Sequence, residues 1–69
     1  MKAYFDGVSG DYETQMRWHR NRLLAASDWT QVADAPVDRQ AWADYRQQLR
    51  DFPATWTPGP EANFPDPPQ

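Results

Sequence analysis

With 69 residues, ten acidic side chains against seven basic ones and a net charge of -3, the chain has room for one domain and does not suit a generic phosphate-backbone binder, which is usually basic. A chain this short buries only about 60% of the surface that its unfolded form exposes, so its own core is marginal. Cysteine is absent and His19 is the single histidine, which excludes a disulfide scaffold and leaves a partner or self-association as the staple.

In chain order, residues 1–10 predict a short extended arm: Tyr4-Phe5 are strand formers, and Asp6-Gly7 and Ser9-Gly10 are turn dipeptides. The arm reads either as a frayed terminus or as a segment docked on the helices or a partner. It reaches an acid and a glycine before any apolar signal region forms, and no apolar run approaches membrane length, so a soluble, cytoplasmically made protein is expected.

Asp11 is the N-cap of a first helix expected over residues 12–26, with Glu13 near the positive helix end. Tyr12, Met16, His19, Leu23 and Ala26 follow three-and-four spacing and share one face, while Glu13 and Arg17 stand four apart in the favourable order. Trp18 falls about 100° off that stripe and is read as a partly exposed side chain or a partner anchor.

An ordered elbow follows. Ser27 and Asp28 can bond nearby amides and start a tight turn; Asp34-Ala35-Pro36 supplies a second one, with Ala35 extended ahead of the proline. Between them, Trp29 and Val32 suggest one short helical turn with its apolar side inward, and Trp29 is expected to plug the open end of the hairpin. Asp38 then caps a second helix, with Val37 and Trp42 at the two positions of a hydrophobic staple. Its stripe is Trp42, Tyr45, Leu49 and Phe52, with Arg46 and Arg50 in the last turns and Pro53 as its stop.

From residue 53 onward the composition changes, because six of the seven prolines lie there. Such a segment alone is an extended, polyproline-like tail that displays Trp56 and Phe64, both read as partner contacts. The whole predicts an all-α fold: an N-terminal arm over residues 1–10, a helical hairpin with a Trp-containing elbow over 11–52, and a Pro-rich tail over 53–69.

No catalytic, cofactor or metal constellation stands out. His19 lies on the helical stripe, as a packed or interfacial histidine does, and its nearest nucleophile and acid in sequence, Ser27 and Asp28, are better explained by capping. Asp34 and Asp38 flank a turn and a helix start, and no calcium-loop pattern occurs. Residues 17–22 interleave arginines with Trp18, which in isolation suits RNA; a solvated helix face in an acidic chain is the stronger reading.

One longer pattern is more specific. Residues 22–37, carrying Arg22, Leu23-Leu24, Ser27-Asp28-Trp29-Thr30-Gln31 and Asp34-Ala35-Pro36, continue into Ala41-Trp42, Tyr45-Arg46 and Leu49-Arg50-Asp51. This elbow and helix resemble the C-terminal module of tailed-phage tail fibre assembly proteins, also called tail assembly chaperones. The link at residues 37–40 is shorter than usual for that family, and Phe64-Pro65 stands where a Trp-Pro ending is common. The resemblance implies a chaperone without catalytic activity that binds a tail-fibre or other tail protein in the host cytoplasm and shields it until assembly is complete. The alternative it implies is a virion adaptor that stays on the tail or fibre.

Overall fold

The structure, a computed structural model, describes residues 1–7 and 11–68. The expected Ser9-Gly10 turn lies outside the described residues. Two helices, α1 (Tyr12–Ser27) and α2 (Arg39–Thr55), form the hairpin and are joined by a 3-10 turn over Asp28–Gln31.

Both helix starts follow from their caps. The Asp11 carboxylate accepts the Thr14 N–H at 2.7 Å, and that of Asp38 accepts the Ala41 N–H at 3.1 Å; each satisfies an amide that has no partner within its helix. The Thr14 hydrogen bonds hold the Asp11 carboxyl below its ordinary value. Glu13 and Arg17 pair across one turn at 2.9 Å. At the other end of α1, the Ser27 hydroxyl folds back to donate to the carbonyls of Leu23 and Leu24, at 2.9 and 3.2 Å.

Pro53 does not stop α2. It lies inside the helix, which continues to Thr55 and closes with the Trp56 N–H on the Phe52 carbonyl at 3.0 Å. So near a helix end a proline removes only one backbone bond, and the flanking contacts of Phe52 and Trp56 offset that loss. The extension also places Arg46 in mid-helix instead of the last turns.

The all-α expectation is corrected at the two chain ends. Strand β1 (Lys2–Tyr4) pairs antiparallel with β2 (Glu61–Asn63), with Lys2 opposite Asn63, Ala3 opposite Ala62 and Tyr4 opposite Glu61. Flanking backbone bonds, Phe5 N–H to the Pro60 carbonyl at 2.7 Å and Phe64 N–H to the Met1 carbonyl at 2.8 Å, lengthen the ladder at both ends. A ribbon of three-residue strands is unstable alone. Here it stands because Ala62 turns inward, and Phe5 and Phe64 just beyond the strands are buried against the helices. The prolines at 58, 60 and 65 flank β2 without interrupting it, as proline must.

The core therefore has three contributors: Met16 from α1, Tyr45 and Leu49 from α2, and Phe5, Ala62 and Phe64 from the ribbon and its flanks. Met16 and Leu49 are fully excluded from solvent. The ribbon end is also clasped electrostatically. The Met1 ammonium group donates to the Phe64 carbonyl and to Asp66 Oδ1, both at 2.8 Å, and this hydrogen bond, followed by the ammonium charge, lowers the Asp66 carboxyl from its ordinary value.

Candidate functional site

The elbow is held by a buried guanidinium. Arg46 lies four residues after Trp42 and three before Leu49, on the apolar stripe of α2, so its side chain enters the hairpin. There it donates to the Leu24 carbonyl at 2.6 Å, to the Ser27 hydroxyl at 2.8 Å and to Asp28 Oδ1 at 2.6 Å. One rigid fork thus ties the last turn of α1 and the 3-10 turn to the middle of α2. Thr30, fully buried, adds a hydrogen bond from its hydroxyl to the Ser27 carbonyl at 2.6 Å.

Asp28 therefore works across the elbow as the Arg46 counter-ion. Sequence reasoning missed Arg46, although a charge on a buried stripe needs polar partners, and Ser27-Asp28 in the facing turn were there to provide them. Between Ser27 and Trp42, the elbow residues Asp34 and Pro36 lie exposed in the link, where the Ala35 N–H bonds the Val32 carbonyl at 3.2 Å.

Trp29 and Val32 do not tuck inward. They are 51% and 52% exposed, and Thr30 takes the buried position of the turn. The 3-10 spacing of three residues per turn puts Trp29 and Val32 on one side, but that side faces out once Arg46 and Thr30 fill the corner. Trp29 leans on Trp42 with ring centroids 6.4 Å apart, and Trp42 packs edge-on against Tyr45 at 5.6 Å. Trp42 Nε1 is buried without an acceptor among the described residues. Burial, and then the nearby Asp66 charge, push the Tyr45 phenol above its ordinary value.

The two tail aromatics are not displayed on a free tail. Phe64 is 3% exposed and rests on Phe52 at 4.7 Å. Trp56, half-buried, stacks on Phe52 at 6.2 Å, meets Phe5 edge-on at 5.9 Å, and donates its Nε1–H to the Glu61 carbonyl at 3.2 Å. The rings expected to reach another protein here fasten the ribbon to the hairpin, because pairing with β1 bends the tail back over α2.

Trp18 is the exception among the expected contact residues, being 55% exposed. The Arg22 guanidinium lies over its ring, 4.9 Å from the centroid, and His19 touches it edge-on at 4.9 Å. His19 itself is wedged between Trp18 and Phe5, whose ring centroid is 5.5 Å away. Arg17 and Arg20 are occupied locally, with Glu13 and the Asn21 side chain respectively.

Among the described residues, no helix is long and apolar enough to cross a membrane. Comparison with curated proteins and with solved structures returned no match. A family model described as phage tail assembly chaperone protein matches residues 13–69, which takes in α1, the elbow, α2 and β2. Over that whole span, from the first turn of α1 through the Arg46-locked elbow to the ribbon, the chain belongs to the phage tail assembly chaperone family.

Proposed function

We propose that this chain is a chaperone without catalytic activity that binds the tail-fibre protein in the host cytoplasm and holds it competent for assembly. Membership of the family supports a role in tail assembly through binding of tail proteins; the fibre is the finer assignment. The observation that carries it is Trp18, a large ring left more than half exposed on a folded hairpin and backed by Arg22. Aromatic and arginine side chains held outside a core are the usual anchors of protein interfaces. The side chains of Ser27 and Asp28 are engaged by Arg46, and His19 is wedged between two rings, an arrangement suited to packing.

The experiment is mass spectrometry of purified phage particles together with a co-purification of this chain with the tail-fibre protein from infected cells. Co-purification from lysate, with the chain absent from mature particles, is the expected result. A fixed ratio of chain to fibre in mature particles would replace the chaperone reading with that of a virion adaptor. Failure to co-purify with the fibre while another tail protein is recovered would move the assignment to that protein.

A further inference from the structure

Three hollows follow one another along α1. The first is lined by Trp18 and His19, the second by His19, Arg22 and Leu23 against Lys2 and Met1, and the third by Leu23 against Met1 and Trp42. Each shares a residue with the next, so they form a track along α1: the first is lined by α1 alone, the β1 end faces α1 across the second, and Met1 and α2 face it across the third. Their volumes, about 270, 240 and 170 Å³, fall below the roughly 300–1,000 Å³ of a compact small-molecule site. A row of small hollows instead suits the alternate, same-facing side chains of an extended peptide. With α1 rising 1.5 Å per residue, Trp18 to Ala26 spans about 12 Å, which about four residues of extended chain cover.

The charge of the track opposes that of the molecule. The chain carries a net charge of -3, yet among the described residues no Asp or Glu lines any of the three hollows, while Arg22 and Lys2 do. Lys2 shares an exposed ion pair with Glu61 at 3.6 Å. Arg22 forms no salt bridge among the described residues, and its guanidinium is held on the Trp18 ring. An arginine placed over an aromatic face keeps its in-plane donors free for a carboxylate.

We infer that this track docks an extended segment of the tail-fibre protein bearing a carboxylate beside apolar side chains, with Arg22 taking the carboxylate and Trp18, Leu23 and Trp42 forming the apolar floor. The inference rests on the chaperone reading above and supplies the chemistry of its partner. Complementary charge favours encounter with such a segment, and the rigid ring supplies the anchor.

The test is isothermal titration calorimetry of the full chain with purified tail-fibre protein, comparing wild type with Arg22→Glu, Arg22→Gln, Trp18→Ala and Trp29→Ala. All three positions are exposed, and circular dichroism checks that each variant keeps its helices. Arg22→Glu and Trp18→Ala are each expected to weaken binding by about tenfold or more, Arg22→Gln by less, and Trp29→Ala by under about twofold. Added salt weakens the wild type more than Arg22→Gln.

Wild-type affinity in the Arg22 and Trp18 variants, with loss in Trp29→Ala, would overturn the inference and leave the chaperone reading standing with its contact at the elbow. Absence of wild-type binding would remove both. A concentration-dependent dimer of the chain alone that Arg22→Glu abolishes, with fibre binding intact, would assign the track to a second copy and overturn the inference as well.

Discussion

The two ends of the hairpin are closed by opposite kinds of chemistry. At the elbow, a buried guanidinium satisfies a carbonyl, a hydroxyl and a carboxylate at once. Toward the open end, a ribbon of two three-residue strands is held by aromatic burial, with Phe64 and Trp56 laid on Phe52 and Phe5. Polar closure fixes one geometry, because a buried charge tolerates few alternatives. Apolar closure is less directional and depends on how much surface the ribbon covers.

That contrast is broken most forcefully at Arg46. Arg46→Ala removes the donor from a shielded carbonyl, a buried hydroxyl and a largely exposed carboxylate, and the charge-assisted hydrogen bonds to the two shielded acceptors are worth about 1.5–3 kcal/mol each. A chain of this length has only roughly 3–10 kcal/mol of stability in all. Urea unfolding followed by circular dichroism should find the variant at least partly unfolded in buffer, whereas Asp28→Asn, whose carboxylate is largely exposed, should lose about 1 kcal/mol.

Phe64→Ala sharpens the comparison from the other end. Truncating a buried phenylalanine costs about 3 kcal/mol or more, and the loss should be felt first in the ribbon. Hydrogen exchange at residues 2–4 and 61–63 is expected to accelerate more than at Leu49. Equal acceleration throughout would show that ribbon and hairpin unfold as one unit.

The exposed rings should hardly matter to folding. Trp18→Ala and Trp29→Ala are each expected to shift stability by under about 1 kcal/mol in the same urea titration, since neither side chain fills the core. A larger loss at Trp29 would mean that its contact with Trp42 carries part of the elbow.

The smallest effect lies at the exposed clasp. Asp66 is held below its ordinary value of 3.8 by the Met1 ammonium. A lowered folded-state pKa contributes stability that is fully present above the unfolded value and is lost as pH falls through the folded one. Asp66→Asn should therefore flatten the stability profile slightly on the acid side of pH 4 and leave it unchanged in shape at neutral pH.

What was legible in the sequence was local. Asp11 and Asp38 cap the helices they precede, Met16, Tyr45 and Leu49 lie on the buried stripes that their spacing predicts, and Glu13 meets Arg17. What escaped depends on contacts distant in sequence. Phe64 reads as an exposed tail ring until Met1 and β1 are brought alongside it, and no local rule announces a pairing between residues some sixty positions apart. Trp29 and Arg46 exchange their expected places for a related reason. Hydrophobicity alone puts the indole inside, but the corner is filled by a guanidinium whose three partners lie on the preceding helix and turn.

The proposed contact surface is the α1 face that carries Trp18 and Arg22, so the most direct measurement is hydrogen–deuterium exchange of the chain with and without the tail-fibre protein. Slowed exchange is predicted over residues 14–27, with little change along residues 48–55. Protection confined to residues 28–36, or no protection anywhere at saturating fibre protein, would contradict it.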